Sequence, residues 1–136
     1  MMYSLNRLVL SIVMCVYCIC GCSVGDRSIQ GDVLQNVPSP DASANAVLTK
    51  SANGATVSFV YRLYLQDRVT GKVAEVLRAD RIGAVNIEWK GNQLVSVELS
   101  CGRIFTYQNF VDILDKDGAL HRSISVALAP VIPCSK

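Results

Sequence analysis

The residues best equipped for chemistry are the cysteines. Four of the six, Cys15, Cys18, Cys20 and Cys22, crowd into the stretch CVYCICGC. Thiolates in that number raise the question of a metal. A zinc site wants four of them around one ion, usually as two knuckles well separated in sequence. Here all four lie in one apolar run, Leu8 to Cys22, interrupted only by Ser11 and Gly21. Thiolate charge in a segment bound for hydrocarbon is costly, so no metal is expected. The run has a core of about 12 apolar residues. That matches the ~7–15 of a signal-peptide core and falls short of the ~20 of a spanning helix. Arg7 and the amino terminus give its leading edge positive charge, and no acidic residue opposes them. Residues 1–21 are therefore expected to be a signal peptide, helical in its core and no part of the folded domain.

The last four residues of the run, Ile19-Cys20-Gly21-Cys22, resemble the bacterial lipobox: an aliphatic residue, a small one, Gly or Ala, then Cys. The lipoprotein signal peptidase needs small residues before its cut. Tyr17 precedes Cys18 and Ile19 precedes Cys20, so Cys22 alone fits. The resemblance implies that Cys22 is the mature N-terminus and carries a diacylglyceryl thioether. Two or three acyl chains, at ~0.8 kcal/mol per buried methylene, would hold the protein on a membrane almost permanently. Cys15, Cys18 and Cys20 then read as small apolar filler. Ser23, where Asp would mark retention, implies outer-membrane sorting. The expected address is the bacterial cell envelope, lipid-anchored and facing the periplasm.

With Cys22 lipidated, Cys101 and Cys134 remain as an even pair. Disulfides persist in exported proteins, so the two are expected to bond, tying the C-terminal tail to the end of a strand. Closing that loop would remove roughly 3–4 kcal/mol of unfolded-state freedom. Two free thiols are the alternative in a reducing compartment. Of 13 Lys and Arg, one (Arg7) leaves with the signal peptide; the other 12 face 11 Asp and Glu, a net +1. Nothing basic clusters, so nucleic acid is not an expected partner.

The elements that would position any site read as strands. Residues 22–45 are polar and turn-rich, with a turn at Pro38-Ser39-Pro40-Asp41 and room for a short strand at Asn36–Val37. They read as the lipidated end and tether of a domain spanning 46–136. Thr56 to Gln66 (TVSFVYRLYLQ) alternates with period two, Val57, Phe59, Tyr61, Leu63 and Leu65 sharing one face. This is a half-buried strand. Gly71 marks a turn, with a weaker strand over 72–78. Val85, Ile87 and Trp89 alternate with polar residues, as do Val95, Val97 and Leu99, so a hairpin turns about Gly91-Asn92. A two-residue loop would put the two apolar sets on opposite faces. A three-residue loop, Gly91 to Gln93, pairs 89 with 95, 87 with 97 and 85 with 99, and unites them. Cys101-Gly102 makes a corner before a strand at 103–108. Asn109 to Leu114 could be strand or helical turn. Asp115 to Gly118 is a turn, and Ser123 to Leu128 a last strand before Pro130 and Pro133. The fold class is mainly β: a small antiparallel sheet, sandwich or partly open barrel.

Within that frame few residues could act on a substrate. Were Asp115-Lys116-Asp117-Gly118 a calcium loop, Ile113 and Ile124 would stand where acids belong, so an Asx-type turn is expected. His121 is the only histidine and has no nucleophile elbow near it, so it reads as solvated. Glu88 and Glu98 are diagonal neighbours on polar faces. A small hydrolase built on Glu88, Glu98 or His121 is the enzyme alternative, and it needs a cleft joining them. Trp89 and Tyr61 belong to the inward periodicity. Tyr64 sits on the other face and is the residue expected to touch a partner. No cofactor is expected.

Ser39-Pro40-Asp41, Asn53-Gly54-Ala55-Thr56 and Val85-Asn86-Ile87-Glu88-Trp89 resemble, over residues 38–107, a group of small uncharacterised exported bacterial proteins. Those carry Ser-Pro-Asp-Gly, Cys-Gly-Ala-Thr and a Val-x-Trp hairpin; Ala42 and Asn53 depart from that pattern. The resemblance implies export and a β fold, without an activity. The expected function is binding or structural, not enzymatic: an anchored envelope protein touching another envelope protein through a sheet face or edge. Size, anchor and disulfide are similar to those of periplasmic inhibitors of cell-wall lytic enzymes, by analogy alone.

Overall fold

The computed structural model describes residues 28–52, 54, 57–130 and 133. Residues 1–21, expected to be a signal peptide, Cys22 and Cys134 lie outside the described residues. Within them are nine strands: β1 (Asp32–Pro38), β2 (Ala44–Ser51), β3 (Val60–Asp67), β4 (Val73–Asp80), β5 (Ala84–Trp89), β6 (Leu94–Ser100), β7 (Arg103–Tyr107), β8 (Phe110–Leu114) and β9 (Leu120–Leu128). They form a five-stranded sheet, β1-β2-β3-β4-β7, and a four-stranded sheet, β5-β6-β9-β8. The described residues contain no helix. The fold is mainly β and sandwich-like, and the two sheets do not close into a barrel.

The core follows from strand periodicity. Leu63 and Leu65 of β3 face the second sheet beside Leu48 and Ala46 of β2, their register partners. Val95, Val97 and Leu99 of β6 meet them from the other side. The hairpin of β5 and β6 has the register that unites its apolar residues: Trp89 pairs with Val95, Ile87 with Val97 and Val85 with Leu99. Burial of one face selected the odd loop, because a slip of one residue would turn Val95, Val97 and Leu99 to water.

Three expectations need correction. The stretch read as tether, 22–45, contains β1 and the first two residues of β2, which join the five-stranded sheet through a turn over Ser39–Ser43. Strand β1 escapes a periodicity reading because nearly all of it is exposed edge, with a register shift between Val33 and Gln35. Second, the alternating strand begins at Val60, and Val57 and Phe59 are exposed. Its partner β2 ends at Ser51, opposite Val60, so earlier residues have no ladder to join. Third, β6 and β9 pair in parallel. The chain between them supplies the long crossover that parallel pairing requires.

That crossover carries the main irregularity of the sandwich. At Cys101 (φ 57°) and Gly102 (φ 106°) the chain turns out of the second sheet. A Cβ on Gly102 would sit 3.2 Å from the Asp80 carbonyl oxygen, so the corner calls for glycine twice over. As β7 the chain pairs with β4, from Arg103 opposite Asp80 to Tyr107 opposite Leu77. The Gln108 N–H then donates to the Val76 carbonyl at 2.9 Å, and the chain returns to the second sheet as β8. Residues 109–114, open between strand and helical turn, are thus largely strand.

Candidate functional site

A sandwich has two lateral seams where the edges of its sheets face one another. Here they differ. Along one, β1 faces β5. The Trp89 indole Nε1 donates to the Val37 carbonyl at 2.9 Å, and Gln35 Nε2 donates to the Val85 carbonyl at 3.4 Å. Both side chains cross the seam to cap a backbone acceptor, and the Trp89 ring packs on the core.

Along the other seam, β4 faces β8, and among the described residues no side-chain hydrogen bond joins these two strands. The one crossing on this side runs farther in, from the Tyr107 hydroxyl of β7 to the Val126 carbonyl of β9 at 2.5 Å. The β4–β7 ladder stops at Leu77, so Val73–Glu75 form a free edge. Strand β8 is the last strand of its own sheet. Because the chain leaves β4 at Gln108 and runs on into β8, the strands diverge toward the loops and leave a wedge. It holds a cavity of about 340 Å³. Leu65, Ala74, Val111 and Ile113 line its interior, and Lys72, Asp112, Asp115 and Lys116 stand around it.

Hydrogen-bond alternation shows which backbone groups face this opening. Asn109 accepts from the Val126 N–H, so in an antiparallel ladder Val111 also points toward β9. Phe110 and Asp112 then direct N–H and C=O away from β9, toward the open side. On β4, the Lys72 carbonyl accepts from Asp67, so Ala74 points toward β3, and Val73 and Glu75 face the opening. The wedge thus joins an apolar interior to two strand edges with unused backbone partners.

At the loop end of the sandwich lies a polar cluster that sequence reading missed. Asp67 is fully buried, and its Oδ2 accepts from the backbone N–H and the hydroxyl of Thr70, both at 2.7 Å. Arg122 Nε lies 3.6 Å from its Oδ1 and His121 Nε2 lies 3.8 Å from its Oδ2. Arg122 Nη1 also donates to the Ser43 hydroxyl at 2.7 Å, and that hydroxyl donates to Asp41. Ser39 and Ser43 hydroxyls, in that order of weight, hold the Asp41 carboxyl down at about 2. These contacts pin the turns of the five-stranded sheet to β9 of the other. His121 is exposed, as expected, yet its Nε2 lies 3.8 Å from the buried acid. The signal was faint: Asp67 ends a strand and Thr70 follows three residues later, an Asx-type arrangement.

The expected site residues have separate fates. Glu88 pairs with Lys90 at 2.6 Å, and Glu98 accepts from Asn86 at 3.3 Å. Their register partners, Ser96 and Asn86, make the two glutamates diagonal neighbours, as expected. Among the described residues no hydrogen bond or ion pair joins either to His121 or to the other. Tyr64 lies on the face away from the core but is only 2% exposed, so it is not a surface contact. It lines a second cavity of about 230 Å³ with Ser28, Gln30, Glu75 and Arg78. Part of the stretch taken for tether explains the difference: Ser28 and Gln30, just before β1, stand beside that face. Cys101 is engaged with a partner; Cys134 lies outside the described residues. The Asp115 turn is of the Asx type, Oδ1 accepting from Asp117 and Ala119 N–H groups. Among the described residues no group of three or more His, Cys, Asp or Glu could hold a metal.

No family model, curated protein or solved structure matches the chain.

Proposed function

We propose that this is a lipid-anchored envelope protein whose β sandwich binds an extended segment of another envelope protein along the β4–β8 seam. The observation that carries the reading is the wedge itself, an apolar cleft bordered by two strand edges with free backbone groups. Such edges bind extended chain by strand addition: main-chain hydrogen bonds supply affinity, and pockets for alternate side chains supply selectivity. An unguarded edge is otherwise an aggregation hazard that monomers cover or charge. Here the β8 edge carries exposed Phe110 and Leu114.

Around that seam the other parts take consistent roles. Cys22 carries the lipid and fixes the domain to the membrane, with the outer membrane as the favoured location. A bond between Cys101 and Cys134 would hold the tail against the corner where the chain enters β7. The binding reading is preferred to catalysis because Glu88 and Glu98 are each engaged by a neighbour on their own hairpin, while His121 belongs to a cluster that ties turns together.

Site-specific photo-crosslinking in intact envelopes tests the proposal. A photoreactive residue at Leu114, on the open seam, is expected to capture a protein partner. The same residue at Val33, beside the laced seam, is expected to capture none. Capture at Val33 without capture at Leu114 overturns it. Intact mass of the native protein tests the anchor: the first 21 residues should be gone and residue 22 should carry acyl chains.

A further inference from the structure

We infer that the segment held in the β4–β8 wedge is an apolar strand bearing a carboxylate, placed where Lys72 and Lys116 stand at the mouth. The inference rests on the proposed function and specifies the chemistry of its partner. Four charged residues line the cavity. Its two carboxylates are already satisfied from within the fold. Asp112 accepts from the Ser123 hydroxyl, and Asp115 accepts two backbone N–H groups of its own turn. Neither ammonium has a carboxylate partner among the described residues, although Lys90, Arg62, Arg78 and Arg103 each have one. The four charges balance, but only the two ammoniums are left without a partner from within the fold, so a carboxylate is the group they are free to take.

Position makes that charge informative. Lys72 precedes β4, and Lys116 lies in the turn that follows β8. Both stand at the end where the two strands have diverged, while Leu65, Ala74, Val111 and Ile113 fill the interior. A bound strand would bury apolar side chains in the narrow part and present its anion at the wide part. The anion can be an acidic side chain or a chain-terminal carboxylate. A strand suits the site better than a fatty acid, because the backbone groups of Val73, Glu75, Phe110 and Asp112 have no use for an acyl tail.

Synthetic peptides and the full-length lipidated protein in detergent micelles test this. Fluorescently labelled six-residue peptides of alternating Val and Thr would carry a Glu, Gln or Lys at one end, each as free acid and as amide. Binding is read by anisotropy. The Glu peptide is expected to bind about tenfold more tightly than the Lys peptide, a size consistent with two partly exposed ion pairs. In the Lys72→Glu/Lys116→Glu double variant that order should reverse. If the free acid outranks the amide irrespective of side chain, the anion is a chain end; if Glu outranks Gln in both series, it is a side chain. Equal binding of all peptides overturns the carboxylate inference and leaves the strand reading intact. No peptide binding, with dodecanoate bound instead, overturns both.

Discussion

The two seams of this sandwich are built from similar materials and end differently. Strands β1 and β8 are both short edges with exposed aliphatic residues. At β1, side chains from both sheets reach over and bond the opposite backbone. At β8, the chain itself separates the sheets, because one continuous passage supplies β7 to one sheet and β8 to the other. A strand that changes sheets cannot complete both ladders along its whole length. The half-ladder left on β4 follows from that topology, and so does the wedge.

The largest test of the contrast is Trp89→Ala. The ring packs against the core and its N–H caps Val37. Loss of a large aromatic costs about 3–5 kcal/mol when fully buried; Trp89 is partly exposed, so about 3 kcal/mol is expected in urea unfolding. Trp89→Phe keeps most of the packing and removes the hydrogen bond, for about 1 kcal/mol. Amide exchange should quicken in β1 and β5 and stay unchanged in β8. Uniform quickening would show that the seams do not behave as separate parts.

The second test strikes the open seam. The Asp112 N–H points to the opening rather than to β9, so Asp112→Pro should leave the β8–β9 ladder in place. Partner capture at Leu114 should fall at least tenfold, with a stability change of about 1 kcal/mol from the lost Ser123 contact. Asp112→Ala loses that same contact and keeps the N–H, so it should still capture the partner. Equal loss in both variants would mean that the side chain matters and the strand edge does not.

Sequence showed the closed parts of this molecule better than the open ones. Alternation in Val85–Trp89 and Val95–Leu99, with the demand that both apolar sets share a face, was enough to give the hairpin register. Tyr61, Leu63 and Leu65 marked the inner face of β3 for the same reason. Of strand β1 only Asn36–Val37 was anticipated, because an edge exposed on both faces has no pattern to read. The wedge was invisible because it depends on where a ladder stops, which is a property of the pairing of distant strands. Tyr64 was placed on the correct face, but periodicity reports direction and says nothing of what lies above. Asp67 and His121, 54 positions apart, meet only because β9 begins beside the turn after β3.

The smallest expected effect concerns pH and again separates the seams. The Asp41 carboxyl is held at about 2, below its usual 3.8, chiefly by the Ser39 hydroxyl and then by Ser43. A depressed value means the fold favours the carboxylate. Its contribution is therefore complete above pH 3.8 and is lost as pH falls through about 2. Asp41 belongs to the β1–β2 turn, and its N–H donates to Asn92 Oδ1 in the β5–β6 loop at 3.2 Å. Protonation should thus loosen the loop end of the laced seam. In a titration followed by NMR, the Ser43 and Asn92 amides should shift with a midpoint near 2, while Val111 and Ile113 of β8 should not follow them. Asp41→Asn should flatten the Ser43 response, since the neutral amide no longer changes charge. If β8 amides shift with the same midpoint, the acid is loosening the whole sandwich, and the division into a fastened side and an open side fails.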